Sequence, residues 1–279
     1  MTVPSSRYIL DCCDNGVLNS VSVIPNSPHI GPCSQLLLPY IQSGRIKIGM
    51  HLNLVEGKAL LPHGAIPLLT SEDGYFCNSF EKLFFLSLTP RKHQLRREIK
   101  LELQQQISRI QKYYPGVPLA LDSHQHFHMI PLVFDTVMEI IRENNIPVRY
   151  VRLSSEPLFP FLITPSIYRY IRPINIVKNV LLNIFNIWDK KQLMSTGIPT
   201  NLFWGLMFSG DMNLTVVSKL LPRFQRIARR KGMPLEVLSH PCPIKELADC
   251  LDSRKKTFIS FYISPGRYRE AEMLKNIQK

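Results

Sequence analysis

The residues best equipped for chemistry lie in one short run, Asp122-Ser123-His124-Gln125-His126-Phe127-His128, where three imidazoles alternate behind a single acid. Imidazole is the commonest protein ligand for divalent metals and titrates near neutral pH. In an extended segment, residues two apart point to the same side, so His124, His126 and His128 are expected to line one wall. The plainer reading, histidines that only hydrogen-bond within a polar loop, fits any single one of them better than the cluster. Two more histidines end apolar runs, His51 after Ile46-Lys47-Ile48-Gly49-Met50 and His240 after Leu235-Glu236-Val237-Leu238-Ser239.

Each of these three runs reads as a buried strand with a polar residue at its C-terminal mouth. In parallel α/β folds and barrels that mouth is where catalytic groups collect. The surrounding pattern supplies the helices such a sheet needs. Leu132 to Glu143 carries Val133, Phe134, Val137, Ile140 and Ile141 at helical spacing, and Pro147 to Leu153 follows as a strand, which makes a βαβ unit with a parallel sheet. Pro90 to Tyr114 reads as a helix with Leu95, Ile99, Leu103, Ile107 and Ile110 on one stripe. Tyr8 to Asp14 ends a helix at the stop signal Asn15-Gly16, and Val17 to Ile24 alternates like a strand. Further on, Asn201 to Phe208 is a strand, Leu214 to Arg230 a helix and Leu235 to Leu238 the last clear strand. Glu56 to Phe80 is a long irregular stretch after His51, the kind of loop that covers a site.

Composition bounds the remaining choices. A chain of 279 residues, 45% hydrophobic and 20% charged, fits one domain spanning 1–279 with a sizeable core. The net charge of +13 permits attraction to anionic surfaces, but the basic pairs lack interleaved aromatics, so no specific nucleic-acid partner is expected. Six cysteines without a CxxC pair suit a reducing cytosol, and a cytoplasmic location is expected. No run reaches the roughly 20 apolar residues of a transmembrane segment. The nearest, Ile174 to Trp188, is interrupted by Lys178 and by Asn175, Asn179, Asn183 and Asn186, which mark a polar stripe on an amphipathic helix.

Gly49-Met50-His51-Leu52-Asn53-Leu54, Asp122 to His128 and Ser239-His240-Pro241 resemble, in order, three signature segments of the YdjC/ChbG-like carbohydrate deacetylases, which include the hopanoid-biosynthesis deacetylases. Asn15 to Ser20, Gly205 to Gly210 and Pro265 to Leu274 resemble weaker landmarks of that family, so the likeness covers nearly the whole chain. It implies a (β/α) barrel-like, TIM-barrel-related α/β fold with a mostly parallel sheet. It also implies a hydrolase that removes an acetyl group from an acetylated amino-sugar or glycolipid, with a homodimer left open. The family uses one divalent metal ion, magnesium or zinc, held by an aspartate and two histidines. On this chain the two histidines are His51 and His124, and His240 matches the late catalytic histidine that protonates the departing amine. Asp122, His126, His128, Asn53 and Arg267 are then expected to orient ligands or face the substrate.

The chain departs from the family at its start. Family members begin with a strand ending in two adjacent aspartates, and this sequence starts after that point. Asp11 and Asp14 sit just before the helix stop, at the wrong distance to take their place. The tail ends at Lys279, short of the family's last helix and strand, so a barrel incomplete at both ends is expected. Three explanations compete for the missing aspartates. The first is a truncated deacetylase, impaired by the loss. The second is a catalytically inactive carbohydrate-binding relative. The third is substitution by another carboxylate such as Glu56 or Glu236.

Overall fold

The computed structural model describes residues 1–242 and 250–277. They form an α/β protein whose strand pairs are all parallel, divided into two compact units that the chain enters alternately. The helices are α1 (Val3–Asp14), α2 (Ile30–Gln42), α3 (Phe80–Ser87), α4 (Lys92–Tyr113), α5 (Pro131–Glu143), α6 (Phe159–Leu162), α7 (Pro173–Thr196), α8 (Leu214–Lys231), α9 (Lys256–Tyr262) and α10 (Pro265–Asn276). The strands are β1 (Ser20–Val23), β2 (Lys47–Leu52), β3 (Leu119–Ser123), β4 (Val148–Val151), β5 (Leu202–Trp204) and β6 (Leu235–Val237).

The first unit comprises Met1–Val3, Ser20–Val151 and Trp188–Pro199. Its sheet runs in the order β1-β2-β3-β4, with a helical crossover between each pair of successive strands. All five residues of β3 are buried, which is why Leu119-Ala120-Leu121 reads as an unbroken apolar run instead of an alternating one. Helix α5 opens with Pro131 at its first turn, where the missing N–H is no loss, and buries Val133, Phe134, Val137, Ile140 and Ile141. Helix α4 buries the predicted apolar stripe and, beside it, Glu98, Glu102 and Gln106.

Those three polar side chains explain how the long segment after β2 is held. Leu60 N and Leu61 N donate to Glu102, Leu68 N donates to Glu98, and Asn53 N donates to Gln106 Oε1. A segment with little regular structure must have its buried amides satisfied by something, and here the acceptors come from one helix face. Burial pushes the Glu102 carboxyl up, opposed by the donors from Gln106, Leu60 and Leu61.

The second unit comprises Pro4–Asn19, Arg152–Ile187 and Thr200–Lys279. Strand β5 pairs with β6 over a core where the Trp204 ring stacks on Phe224 at 4.6 Å between centroids, with Phe161, Phe208, Leu220 and Leu274 packed around them. Helix α8 is capped at both ends by its own sequence. Asn213 accepts from Val216 N, and Gly232 turns left-handed at φ 60.

Two differences from the sequence reading have plain causes. The first strand starts at Ser20, not Val17, because Val17 N donates to Leu274 O and the side chains of Val17 and Leu18 pack in the second unit. Helices α3 and α9 lie where the sequence shows no long apolar period, since each is eight residues or fewer and buries a single side chain, Leu83 or Phe258. No described helix is long and apolar enough to cross a membrane.

Candidate functional site

In the first unit, β2 and β3 place His51 directly opposite Asp122 in parallel register. Asp122 is buried, and its Oδ1 lies 2.7 Å from His51 Nδ1. A carboxylate at that nitrogen favours the proton on Nδ1 and so makes Nε2 the unprotonated nitrogen, the tautomer in which an imidazole binds metals. The other carboxylate oxygen accepts from Ser22 Oγ at 2.8 Å, although Ser22 is on β1 and β2 lies between them. Gly49, the register partner of Ser22, makes that reach possible. A Cβ there would come within 2.9 Å of Ser22 Oγ.

The histidine run does not continue the strand. Strand β3 stops at Ser123, and His124–Met129 turns tightly, with Gln125 at φ 54 and His126 at φ 60. Two consecutive non-glycine residues in the left-handed region are uncommon and concentrate at functional sites. The expected single wall of His124, His126 and His128 is therefore corrected, because the turn breaks the period of two and gives His124 and His128 different partners. His124 sits with its ring 5.5 Å from the ring of His51, edge to face. Its Nε2 is 2.8 Å from Glu56 Oε2, and Glu56 is wholly buried. His128 is also wholly buried and tied to Ser123, whose Oγ lies 2.6 Å from His128 Nδ1 and accepts the His128 N–H. His126 is half-buried on the turn.

Asn53 shapes the loop that delivers Glu56. Its Oδ1 accepts from Val55 N and Glu56 N, and its Nδ2 donates to Glu56 O and Asn26 Oδ1. The side chain is thus consumed by backbone, and the expected ligand-facing role becomes that of a loop former. The first unit brings together two imidazoles and a buried carboxylate, donors that suit a divalent transition metal in kind. Among the described residues, no group of three or more His, Cys, Asp or Glu side chains is arranged to hold a metal ion.

In the second unit His240 follows β6, and the buried Glu270 of α10 accepts its backbone N–H. The same carboxylate oxygen lies 3.8 Å from His240 Nδ1 and the other accepts from Met212 N. Burial pushes the Glu270 carboxyl up to about 7 against the pull of those two amides. The His240 ring meets Phe261 edge to face. Arg267 packs its guanidinium over Phe261 and Tyr262 and donates from Nε to Cys242 O. Glu236, one of the two carboxylates considered as a substitute, is instead paired with Arg152, whose Nη2 is 2.6 Å from Glu236 Oε1.

The sequence model of YdjC-like proteins matches residues 1–276. The chain belongs to the YdjC-like family. Relatives of this YdjC-like chain include the chitooligosaccharide deacetylases of Yersinia pestis (strain Pestoides F) and Yersinia pseudotuberculosis serotype O:1b (strain IP 31758). Each is 31% identical over 144 residues, 52% of this chain and 53% of the relative. The YdjC-like chain spans about half the length of the curated relatives it matches. Among solved structures, the crystal structure of a proposed cellobiose-phosphate cleavage protein from Enterococcus faecalis V583 has a TM-score of 0.64 at 17% identity. The match covers 99% of this chain and 86% of that one. That likeness establishes a shared fold.

Three participants carry no motif of their own. Ser22 and Glu270 become visible only through strand register and helix placement, and Glu56 is marked in the sequence only as an acid shortly after His51. For Glu270 the one sequence signal is its position three residues after Arg267 in the tail landmark.

Proposed function

We propose that this YdjC-like protein is a metal-dependent carbohydrate deacetylase, one functional domain over 1–279 that acts in the cytoplasm on an N-acetylated amino-sugar. The observation that carries the reading is the pair His51–Asp122 with His124 at its side, which supplies an oriented imidazole, a second imidazole and the buried Glu56 within one unit. Names of the curated relatives support the substrate class.

In this reading His51 and His124 would hold one divalent ion, magnesium or zinc, with Glu56 as the carboxylate. When bound, such an ion supplies Lewis acidity, polarising the acetyl carbonyl and making water acidic enough to attack near neutral pH. Asp122 keeps His51 in one tautomer, and Ser22 fixes the unused oxygen of Asp122 so that the carboxylate does not rotate. His240 gives its proton to the departing amine, and Glu270 stabilises the charged imidazole that must form first. His126 meets the sugar, and Arg267, buried against Phe261 and Tyr262, holds the backbone at Cys242.

The direct experiment is incubation with acetylated chitooligosaccharides while acetate release is followed, with metal binding measured separately by calorimetry. Acetate release that needs added metal and disappears in His124→Ala is expected. Undiminished release from His124→Ala would reject the reading, and sugar binding without acetate release would favour a non-catalytic carbohydrate-binding protein.

A further inference from the structure

Helix α7 is amphipathic the wrong way round for a water-soluble surface. Its asparagines point inward: Asn175 Nδ2 donates to Met207 O, Asn179 Nδ2 to Glu156 Oε2 and Asn183 Nδ2 to Glu156 O. Asn175 and Asn179 are buried. The opposite side presents Val177, Val180, Ile184 and Ile187, which are 63%, 43%, 45% and 67% exposed. These positions fall at i, i+3, i+7 and i+10, one continuous stripe along the helix. Single exposed apolar residues are ordinary, but an aligned stripe marks an interaction surface. Phe159 and Leu162 of α6, in the same unit, are equally solvent-facing at 66% each.

The charges of this segment choose the partner. Between Pro157 and Trp188 the chain carries Arg169, Arg172 and Lys178, all exposed, and not one aspartate or glutamate. A second copy docked face to face would set these cations near their own images with no acid to offset them. An anionic bilayer surface accepts the apolar stripe at the acyl boundary and the cations among its headgroups. The long lysine and arginine stems can lie along the apolar surface while their charges reach the phosphates.

We propose that this protein docks on anionic membrane surfaces through the outer face of α7, the helix lying in the plane of the interface. The proposal is independent of the catalytic reading and needs no substrate to test.

The full chain is mixed with vesicles of equal parts phosphatidylglycerol and phosphatidylcholine, floated through a density gradient, and compared with pure phosphatidylcholine vesicles and with high salt. Flotation with the anionic vesicles is expected, falling several-fold with either change. The double substitution Val180→Glu with Ile184→Glu should abolish it while leaving the far-UV circular dichroism melt in place. Should that variant fail to fold, Arg172→Gln and Lys178→Gln each lower the bound fraction's partition coefficient roughly fivefold. Absence of flotation with anionic vesicles at low salt overturns the proposal, as does flotation that survives both sets of substitutions. A vesicle-free dimer that the glutamate pair converts to monomer, with no flotation by the parent chain, overturns it in favour of a second copy.

Discussion

His51 Nδ1 and Asp122 Oδ1 lie 2.7 Å apart on neighbouring parallel strands, and the pair is fixed from a third strand by Ser22 Oγ on the other carboxylate oxygen. Asp122→Asn keeps the size of the side chain but offers either a neutral acceptor or a competing donor at Nδ1. Metal affinity measured by calorimetry should fall about 10- to 100-fold, with a much smaller change in thermal stability. An unchanged affinity would remove Asp122 from the site.

Gly49 is required by the same relay. In Gly49→Ala the new methyl would sit 2.9 Å from Ser22 Oγ, so Ser22 must turn away from Asp122. The expected cost is about 1 kcal/mol, the net worth of one hydrogen bond, read by urea denaturation. Adding Ser22→Ala to Gly49→Ala should cost little more, since that hydrogen bond is already gone.

His124 and Glu56 are predicted to act as one unit. His124→Ala and Glu56→Gln should each lower metal affinity and acetate release, and the double variant should lose little more than the worse single one, because the groups lie 2.8 Å apart. Additive losses would mean that the two side chains serve different ends.

Glu156 and Glu270 make the second unit sensitive to pH. Glu156 accepts the N–H groups of Gly205, Leu206 and Met207 and the amide of Asn179, yet burial still pushes its carboxyl up to about 7, as it does for Glu270. A carboxyl that is harder to ionise when folded binds more protons in the native state between the ordinary value of 4.5 and about 7. Stability therefore falls as pH rises through that window, by about 1.4 kcal/mol per pH unit for each group. Unfolding free energy should be higher at pH 5 than at pH 8, and Glu156→Gln should flatten the slope. Glu156→Ala, which leaves three buried amides without their acceptor, should cost about 3 kcal/mol or more.

Glu270 is a positioning residue for His240 in the proposed chemistry. Glu270→Gln keeps one acceptor oxygen, enough for the N–H of either His240 or Met212, while removing the charge beside the His240 ring. The pH profile of acetate release should shift on its basic side toward lower pH, with the KM for the oligosaccharide little changed. A loss of activity without any movement of the profile would assign Glu270 a structural role alone.

Much of this protein is decided locally. The apolar runs ending at His51, Asp122 and His240, the stripes of α4 and α5 and the stop at Asn15-Gly16 are fixed by burial, periodicity and capping within a few residues. Those features made the parallel α/β architecture and the order of the family's segments legible in the sequence. The site depends on distances that no local pattern encodes. Parallel register sets His51 against Asp122, the lack of a side chain at Gly49 lets Ser22 reach across a strand, and a left-handed pair at Gln125 and His126 breaks the alternation and parts His124 from His128. The asparagine stripe of α7 shows the division most clearly. Its spacing is visible in the sequence, but only the tertiary structure turned it inward, because the buried carboxylate of Glu156 and the carbonyls of Glu156 and Met207 needed donors.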